Sequence, residues 1–243
     1  MQVPKRWRNY FQLTPVRAES VSVLYRAWIL WCRMAILVLL TGLCRGAQEG
    51  NPFTFSNDQY EAISNAYGEE ARVRVAAWEQ VLKEASPLEI NEKLASINRF
   101  FNAVPFIDDI SHWQKSDYWA TPVEFLSTNG GDCEDFTIAK YFSLRVLGVP
   151  QEKMRLMYVK ALRLNQAHMV LAYFPADGAV PLILDNINKR ILPASQRRDL
   201  VPVYSFNGDG LWLAKAQGRG KQLPGNPRQD MWDDLVSRMD NGF

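Results

Sequence analysis

Three residues whose types suit nucleophilic catalysis occur in this sequence in the order Cys133, His168 and Asp185. A cysteine thiolate attacks a carbonyl carbon, a histidine takes and returns the proton, and a carboxylate orients the histidine ring. His168 begins the apolar segment 168–174, Asp185 ends the apolar segment 181–185, and the linker between them consists of turn-forming residues. These two segments therefore predict an antiparallel hairpin that brings the histidine and the aspartate together.

The register of this hairpin decides how the two side chains meet. If the turn is centred between Ala176 and Asp177, His168 and Asp185 are directly opposite each other. If the loop is two residues longer, Asp185 faces Val170 and lies diagonal to His168. Both registers place the pair on one face of the sheet, roughly 5–8 Å apart. Spacing alone does not distinguish this arrangement from a structural histidine on a strand.

Cys133 occurs within the segment Gly-Gly-Asp-Cys-Glu-Asp, residues 130–135, which opens a predicted helix that ends at Leu147. The unpaired amides and the positive end of a helix dipole stabilise a thiolate and lower the pKa of the thiol. We expect the preceding glycines to let a substrate backbone approach closely. The alternative is that Cys133 is only a small buried apolar residue.

Three carboxylates surround the thiol in the sequence: Asp132, Glu134 and Asp135. Without compensation they raise the pKa of Cys133 and oppose the helix-end effect. A hard cation would neutralise them, and calcium suits a flexible all-oxygen site, whereas zinc prefers His or Cys ligands. The alternative is helix capping, with Asp132 as the N-cap and acids in the first turn. We therefore predict a Ca²⁺ site at Asp132, Glu134 and Asp135, with capping left open.

The elements that position these residues are helices followed by strands. Apolar spacing predicts helices at 57–66, 68–85, 89–103, from Pro122 over a short stretch, at 132–147 and at 230–239. Alternation and composition predict strands at 155–162, 168–174, 182–185, 201–206 and 211–214. Residues 218–228 are rich in Gly, Pro and Lys, and we expect them to be mobile. This order predicts one α+β domain, with N-terminal helices packed on an antiparallel sheet and Cys133 at the N-terminus of the central helix.

The first part of the chain has the layout of an export signal. Residues 1–46 carry seven basic residues and one acidic residue, a net charge of +6. An apolar run from Met34 to Leu40 and small residues at Gly46 and Ala47 follow this basic region. We therefore predict a signal peptide at 1–47 and a single domain at 48–243. An uncleaved signal anchor is the alternative, since the surrounding apolar stretch is long enough to span a bilayer.

The remainder of the chain has a different charge and cysteine content. Residues 47–243 carry 21 basic and 25 acidic residues, a net charge of −4, which argues against nucleic acid as a partner. Cys32 and Cys44 fall in the predicted leader, so Cys133 would be the only thiol of the exported domain. Such a thiol cannot form an internal disulfide, which favours a chemical role for it.

Three separated blocks carry a family resemblance. They are Gly-Asp-Cys-Glu-Asp-Phe at 131–136 with Ala139, Lys140 and Leu147-Gly148, then His-Met-Val-Leu at 168–171, and Leu-Asp-Asn at 184–186. A stretch of the form Trp-x₃-Asp-x-Trp-x₂-Pro-x-Glu precedes them at 113–124. In order and spacing these blocks resemble the bacterial transglutaminase-like cysteine peptidases over roughly residues 55–215, with Met169 as a small departure from the pattern.

The resemblance implies a papain-like or transglutaminase-like core with Cys133 as nucleophile, His168 as base and Asp185 as the orienting group. It also implies calcium dependence and a periplasmic location. The implied substrate is a large cell-surface adhesin, cut near its N-terminus at a site rich in small residues so that biofilm attachment is controlled. The implied partner is an inner-membrane, cyclic-di-GMP-responsive receptor that sequesters the protease. An acyl transferase or cross-linking enzyme on the same triad and a non-catalytic binding module are the alternatives.

Overall fold

The computed structural model describes residues 54–208, 210–213, 222–223 and 228–241. The helices of this part are α1 (Asn57–Tyr67), α2 (Glu69–Ala85), α3 (Ile90–Phe101), α4 (Asp109–Trp113), α5 (Pro122–Ser127), α6 (Cys133–Val146) and α7 (Gln229–Asp240). The strands are β1 (Met154–Ala161), β2 (Gln166–Tyr173), β3 (Leu182–Leu184), β4 (Leu192–Pro193), β5 (Leu200–Asn207), β6 (Gly210–Leu213) and β7 (Gln222–Leu223). Short 3₁₀ helices span Gln151–Lys153 and Ala194–Gln196. The predicted signal segment, residues 1–47, lies outside the described residues.

The strands of the described part form one antiparallel sheet in the order β4-β3-β2-β1-β5-β6-β7. The β2–β3 pairing places Leu171 opposite Leu184. Because side chains alternate between the two faces of a strand, His168 shares a face with Val170 and Ala172. Ala194 and Leu200 pack against that face, and the helices cover the other one.

Helix α6 is the central helix of the fold, as predicted. Its residues from Asp135 to Arg145 are buried, because α3, α5, β1 and β2 all pack around it. Helix α7 inserts Trp232 against this layer, with its ring centroid 5.7 Å from that of Phe142 and 5.9 Å from that of Phe206. Buried aromatic rings of this size dominate core energetics, so they hold α6 firmly in place.

The predicted helices and strands are present in the described part, and their ends differ from the prediction by at most two residues. Sequence reasoning missed α4, β4 and β7. The first has five residues and the other two have two residues each, too few to show a periodic apolar pattern. Residues 222–223 fall in the stretch expected to be mobile, yet they pair with β6. Most of the rest of 218–228 lies outside the described residues.

Within the described ranges, no helix has both the length and the apolar character needed to cross a bilayer.

Candidate active site

The nucleophile candidate lies at a capped helix start. Helix α6 begins at Cys133, and the Asp132 carboxylate accepts a hydrogen bond from the Glu134 N–H at 3.1 Å. Asp135 accepts one from the Asp132 N–H at 3.2 Å, which completes a capping box. The capping roles considered for Asp132 and Asp135 are therefore confirmed. They fix the position of the helix end that carries the thiol.

The two glycines before this helix are required by the packing of the protein itself. A Cβ atom on Gly130 would lie 2.9 Å from Cγ1 of Ile107, and one on Gly131 would lie 2.8 Å from Cδ2 of Phe125. The Ile107 N–H also donates to the Gly131 carbonyl at 2.9 Å. Protein atoms therefore fill the space on the Cβ side of these glycines, and the close approach of a substrate to their backbone stays a prediction.

Burial and acidic neighbours together set the pKa of the thiol. Cys133 is half-buried, and its Sγ donates to Oε2 of Glu134 at 2.7 Å. Burial, followed by the negative charges of Glu134 and Asp132, raises the pKa of Cys133 well above its ordinary value, and a hydrogen bond from the Met169 N–H opposes this only in part. The lowering expected from the helix end is thus outweighed, because a desolvated thiolate beside two carboxylates is unfavourable.

His168 and Asp185 form a buried pair. Nε2 of His168 lies 2.8 Å from Oδ1 of Asp185, and the two residues are 1% and 2% exposed. Extending the β2–β3 register by one residue places Asp185 opposite Val170 and diagonal to His168, so the register with the longer loop is the one that forms. An ionised Asp185 requires the proton on Nε2, which leaves Nδ1 as the basic nitrogen of the ring.

The backbone of β2 connects His168 with the helix start that carries Cys133. Met169, the residue after His168, donates its N–H to Cys133 Sγ. Its carbonyl accepts from the Thr137 hydroxyl, one turn into α6, at 3.1 Å. These contacts attach the helix start that carries Cys133 to the strand that carries His168, and His168 in turn is paired with Asp185.

Arg197 is a part of this site that the sequence did not indicate. Arg197 is only 3% exposed, and its Nη2 donates to Oδ2 of Asp185 at 2.6 Å. Burial by itself raises the pKa of Asp185, but the hydrogen bond and charge of His168, with the Ile187 N–H and Arg197, lower it to about 2. Asp185 is therefore ionised at neutral pH.

A second group of acids surrounds the start of α6. Oxygens of Asp109, Asp132 and Asp135 lie within 4.8 Å of one another, and so do ligand atoms of Asp132, Cys133 and Glu134. Asp132 belongs to both groups, and together the groups contain all three predicted ligands. Asp109 is a fourth acid that the sequence did not predict. Asp109 precedes Asp132 by 23 residues, and its α4 is too short to predict, so no sequence spacing points to it.

These carboxylates fit a hard cation. Burial, then the charges of Glu134 and Asp135, raise the pKa of Asp132 to about 9, and burial raises those of Asp109 and Asp135. Oδ1 of Asp109 is buried and has no hydrogen-bond partner among the described residues. All of the donors are oxygens, which suits calcium or magnesium. Without a cation, burying several carboxylates so close together is energetically unfavourable, and a divalent cation would neutralise part of their charge.

The segment before α5 supports the acid cluster. The Tyr118 N–H donates to Oδ2 of Asp109 at 2.5 Å, and the Ala120 N–H donates to Oδ1 of Asp135 at 2.7 Å. Helix α7 holds this segment, because Nη2 of Arg238 donates to the Trp119 carbonyl at 2.5 Å. The aromatic-rich stretch of the sequence is thus a support for the acids and packs into the core.

The arrangement defines a class of protein. Residues 60–207 match the model of the bacterial transglutaminase-like cysteine proteinases (BTLCP). Because the match covers more than half of the chain, the chain belongs to this family. It is a cysteine protease with a transglutaminase-like fold.

Within this family, solved structures show a more specific similarity. The chain is similar to LapG of Legionella pneumophila. The EGTA-treated structure of that protein is 41% identical over 76% of this chain and 98% of LapG, with a TM-score of 0.66. The calcium-bound structure is 42% identical over 76% of this chain and 99% of LapG, with a TM-score of 0.65. Among curated proteins, none matches the chain.

Proposed function

We propose that this protein is an exported, calcium-dependent cysteine endopeptidase that cleaves the N-terminal region of a large cell-surface adhesin and so controls biofilm attachment. The observation that carries the proposal is the buried His168–Asp185 pair beside a thiol whose helix start is lined with carboxylates. Similarity to LapG over nearly the whole of that protein supports a protease of the same kind. The adhesin as substrate class follows from the family resemblance of the sequence motifs.

Catalysis begins with proton transfer from Cys133 to Nδ1 of His168. In the structure the thiol donates to Glu134, so the S–H turns from that carboxylate towards the imidazole first. Asp185 keeps the proton of the neutral ring on Nε2 and stabilises the imidazolium that forms. The proton leaves the sulfur for the imidazole as the sulfur attacks the peptide carbonyl.

The sulfur forms a bond to the carbonyl carbon, and negative charge develops on the carbonyl oxygen. The Cys133 N–H is placed to donate to this oxyanion, because first-turn amides of a helix have no intrahelical acceptor. His168 then gives its proton to the leaving amine as the C–N bond breaks, which leaves a thioester on Cys133. Water, deprotonated by His168, hydrolyses the thioester and frees the enzyme.

Asp109, Asp132, Glu134 and Asp135 are the residues that would hold calcium in this chain. Their oxygen donors suit the ion, and Oδ1 of Asp109, which has no hydrogen-bond partner among the described residues, would bind the cation. A bound calcium ion supplies positive charge that offsets the carboxylates beside the thiol. The capping bonds of Asp132 and Asp135 would hold these donors in place at the helix start.

The periplasm is the proposed location. The net charge of +6 over residues 1–46 and the apolar run that follows support export through a signal segment at 1–47. An oxidising compartment is compatible with a domain whose described residues contain one cysteine, Cys133. Mass spectrometry of fractionated cells should find the protein in the periplasm, beginning near residue 47. A full-length chain in the membrane fraction would favour the signal anchor.

The proposed regulator is an inner-membrane cyclic-di-GMP receptor of the LapD type that sequesters the protease. This partner follows from the family resemblance and from the shared compartment. A pull-down of the purified protein with the periplasmic domain of such a receptor tests this partnership. A lack of binding with cyclic-di-GMP present would contradict the proposed regulator.

A transglutaminase-like acyl transferase is the second candidate, because an amine can resolve the same thioester in place of water. The two reactions differ in product mass. Hydrolysis gives two fragments that together weigh one water more than the substrate, whereas transfer joins two partners.

The experiment that tests the function incubates the protein with an N-terminal adhesin fragment, with calcium or with a chelator, and measures intact masses. We expect two fragments with calcium and an unchanged substrate with the chelator, while a C-terminal adhesin fragment serves as the control. An intact N-terminal fragment in calcium would contradict adhesin cleavage.

A further inference from the structure

Arg197 is a buried cation that contacts the carboxylate of the triad. Its Nη2 donates to Oδ2 of Asp185 at 2.6 Å. The other oxygen, Oδ1, lies 2.8 Å from Nε2 of His168 and accepts from the Ile187 N–H at 2.9 Å. Arg197 and His168 thus bind different oxygens of one carboxylate, and together they fix the orientation of its plane.

Asp199 holds Arg197 in this position. Nε of Arg197 donates to Oδ1 of Asp199 at 3.0 Å, and Nη2 donates to Oδ2 at 2.8 Å. The Asp199 carbonyl accepts from the Leu162 N–H at 2.8 Å, in the turn between β1 and β2. Because β2 carries His168, the segment 197–199 is bonded both to the hairpin of His168 and to the side chain of Asp185.

Stability alone does not account for burying this arginine. Its Nη1 is buried and has no hydrogen-bond partner within the described residues. A buried donor without an acceptor is unfavourable, and a buried ion pair adds little net stability compared with packed apolar side chains. Arg198, the next residue, lies exposed. A role in the reaction explains what the energetics of folding do not.

We propose that Arg197 is a positioning residue for proteolysis, which turns the Asp185 carboxylate so that Oδ1 binds the Nε2–H of His168 and Nδ1 remains free to take the proton of Cys133. Without Arg197 the carboxylate can rotate, and His168 then also populates the tautomer that carries its proton on Nδ1. The proposal rests on the proposed catalytic role of the triad, but its first test does not require a substrate.

The first test is nuclear magnetic resonance of the full protein with ¹⁵N-labelled histidine. The chain contains two histidines, His112 and His168, so the ring signals can be assigned. In the wild type we expect a slowly exchanging Nε2–H for His168, because the ring is buried and bonded to Asp185. Arg197→Gln should show protonation of Nδ1 as well, and the exposed control Arg198→Gln should match the wild type.

The second test is kinetic and uses a cleavable adhesin fragment. Arg197→Gln should lower kcat by about 10- to 100-fold with little change in KM, because the carboxylate is present and still accepts from the Ile187 N–H, but the bond that fixes its Oδ2 is lost. The loss is smaller than the roughly 10⁴-fold effect of removing the orienting carboxylate of such a triad. Arg197→Lys keeps the charge but cannot span Asp185 and Asp199 in the same way, so it should restore kcat only in part.

The outcomes separate the explanations. A folded Arg197→Gln variant with the wild-type His168 signal and the wild-type kcat would overturn the proposal. If Arg197→Gln does not fold, Arg197→Lys decides by the same two readouts, and wild-type behaviour there would show that buried charge alone suffices. If the wild type cleaves no adhesin fragment, the proposed substrate is wrong, while the tautomer measurement still decides the role of Arg197.

Discussion

Replacing Asp185 with asparagine should reduce both catalysis and stability. The substitution removes the charge that His168 and Arg197 share and leaves the size of the side chain almost unchanged. An amide can also donate to the histidine, which favours the wrong ring tautomer. We therefore expect kcat to fall by up to about 10⁴-fold, with residual activity from the remaining groups.

The effect on stability follows from the pKa of Asp185. Burial opposes ionisation, but His168, the Ile187 N–H and Arg197 lower the pKa from 3.8 to about 2. A shift of this size corresponds to about 2 kcal/mol of stability at neutral pH. Arg197 keeps Asp199 as a partner in the variant, so the loss stays below the roughly 3–5 kcal/mol of a fully broken buried pair. For a domain of this length, Tm should fall by about 4–8 °C.

The pH dependence of this difference has a definite sign. The folded pKa lies below the unfolded one, so the stabilising contribution is complete above the unfolded pKa and is lost as the pH falls through about 2. About half of it is gone at pH 3. Denaturant unfolding of wild type and Asp185→Asn at pH 7 and pH 3 measures this change, with the exposed Asp177→Asn in the β2–β3 loop as control. Equal stabilities of wild type and Asp185→Asn at pH 7 would refute the buried network.

Further predictions concern the cation cluster and a buried lysine. Chelation should lower Tm and abolish cleavage together, and Asp109→Asn should remove the response of Tm to calcium; melting that ignores calcium would contradict the site. Arg238→Ala should weaken calcium binding in titration calorimetry, because Arg238 holds the segment that bonds to Asp109 and Asp135; an unchanged Kd would contradict this support. Burial lowers the pKa of Lys140 from 10.5 to about 7, so the folded protein binds fewer protons than the unfolded chain between these values and its stability rises with pH. Lys140→Met should flatten that rise in denaturant titrations, and a slope equal to that of the wild type would rule out the effect.

The His168–Asp185 pair and the helix start at Cys133 could be predicted, because both depend on local patterns. A helix start at Cys133 follows from the glycines and acids around it, and a hairpin between 168 and 185 follows from two apolar segments and a turn. The register remained open between two choices, because the β2–β3 loop contains several residues that can form the turn. Pairing of Leu171 with Leu184 settles it in favour of the longer loop.

The supports of the triad could not be predicted, since they depend on long-range packing. Arg197 lies in a charged surface-like segment of the sequence, and only the fold of 194–200 over the second face of the sheet buries it. Asp109 reaches the acid cluster through α4, a five-residue helix. The pKa of Cys133 depends on how deeply the thiol is buried and on how close the charges of Glu134 and Asp132 lie, and a sequence pattern does not contain that information.

The identity of the nucleophile is the central claim, and one comparison tests it most directly. Wild type and Cys133→Ala are incubated with an N-terminal adhesin fragment in calcium, and the products are identified by intact mass, with melting curves to verify that both proteins are folded. Because Cys133 packs as a half-buried residue at a helix start, alanine should leave the fold intact. We expect two fragments with the wild type and an intact substrate with Cys133→Ala. Continued cleavage by Cys133→Ala would show that Cys133 is not the nucleophile.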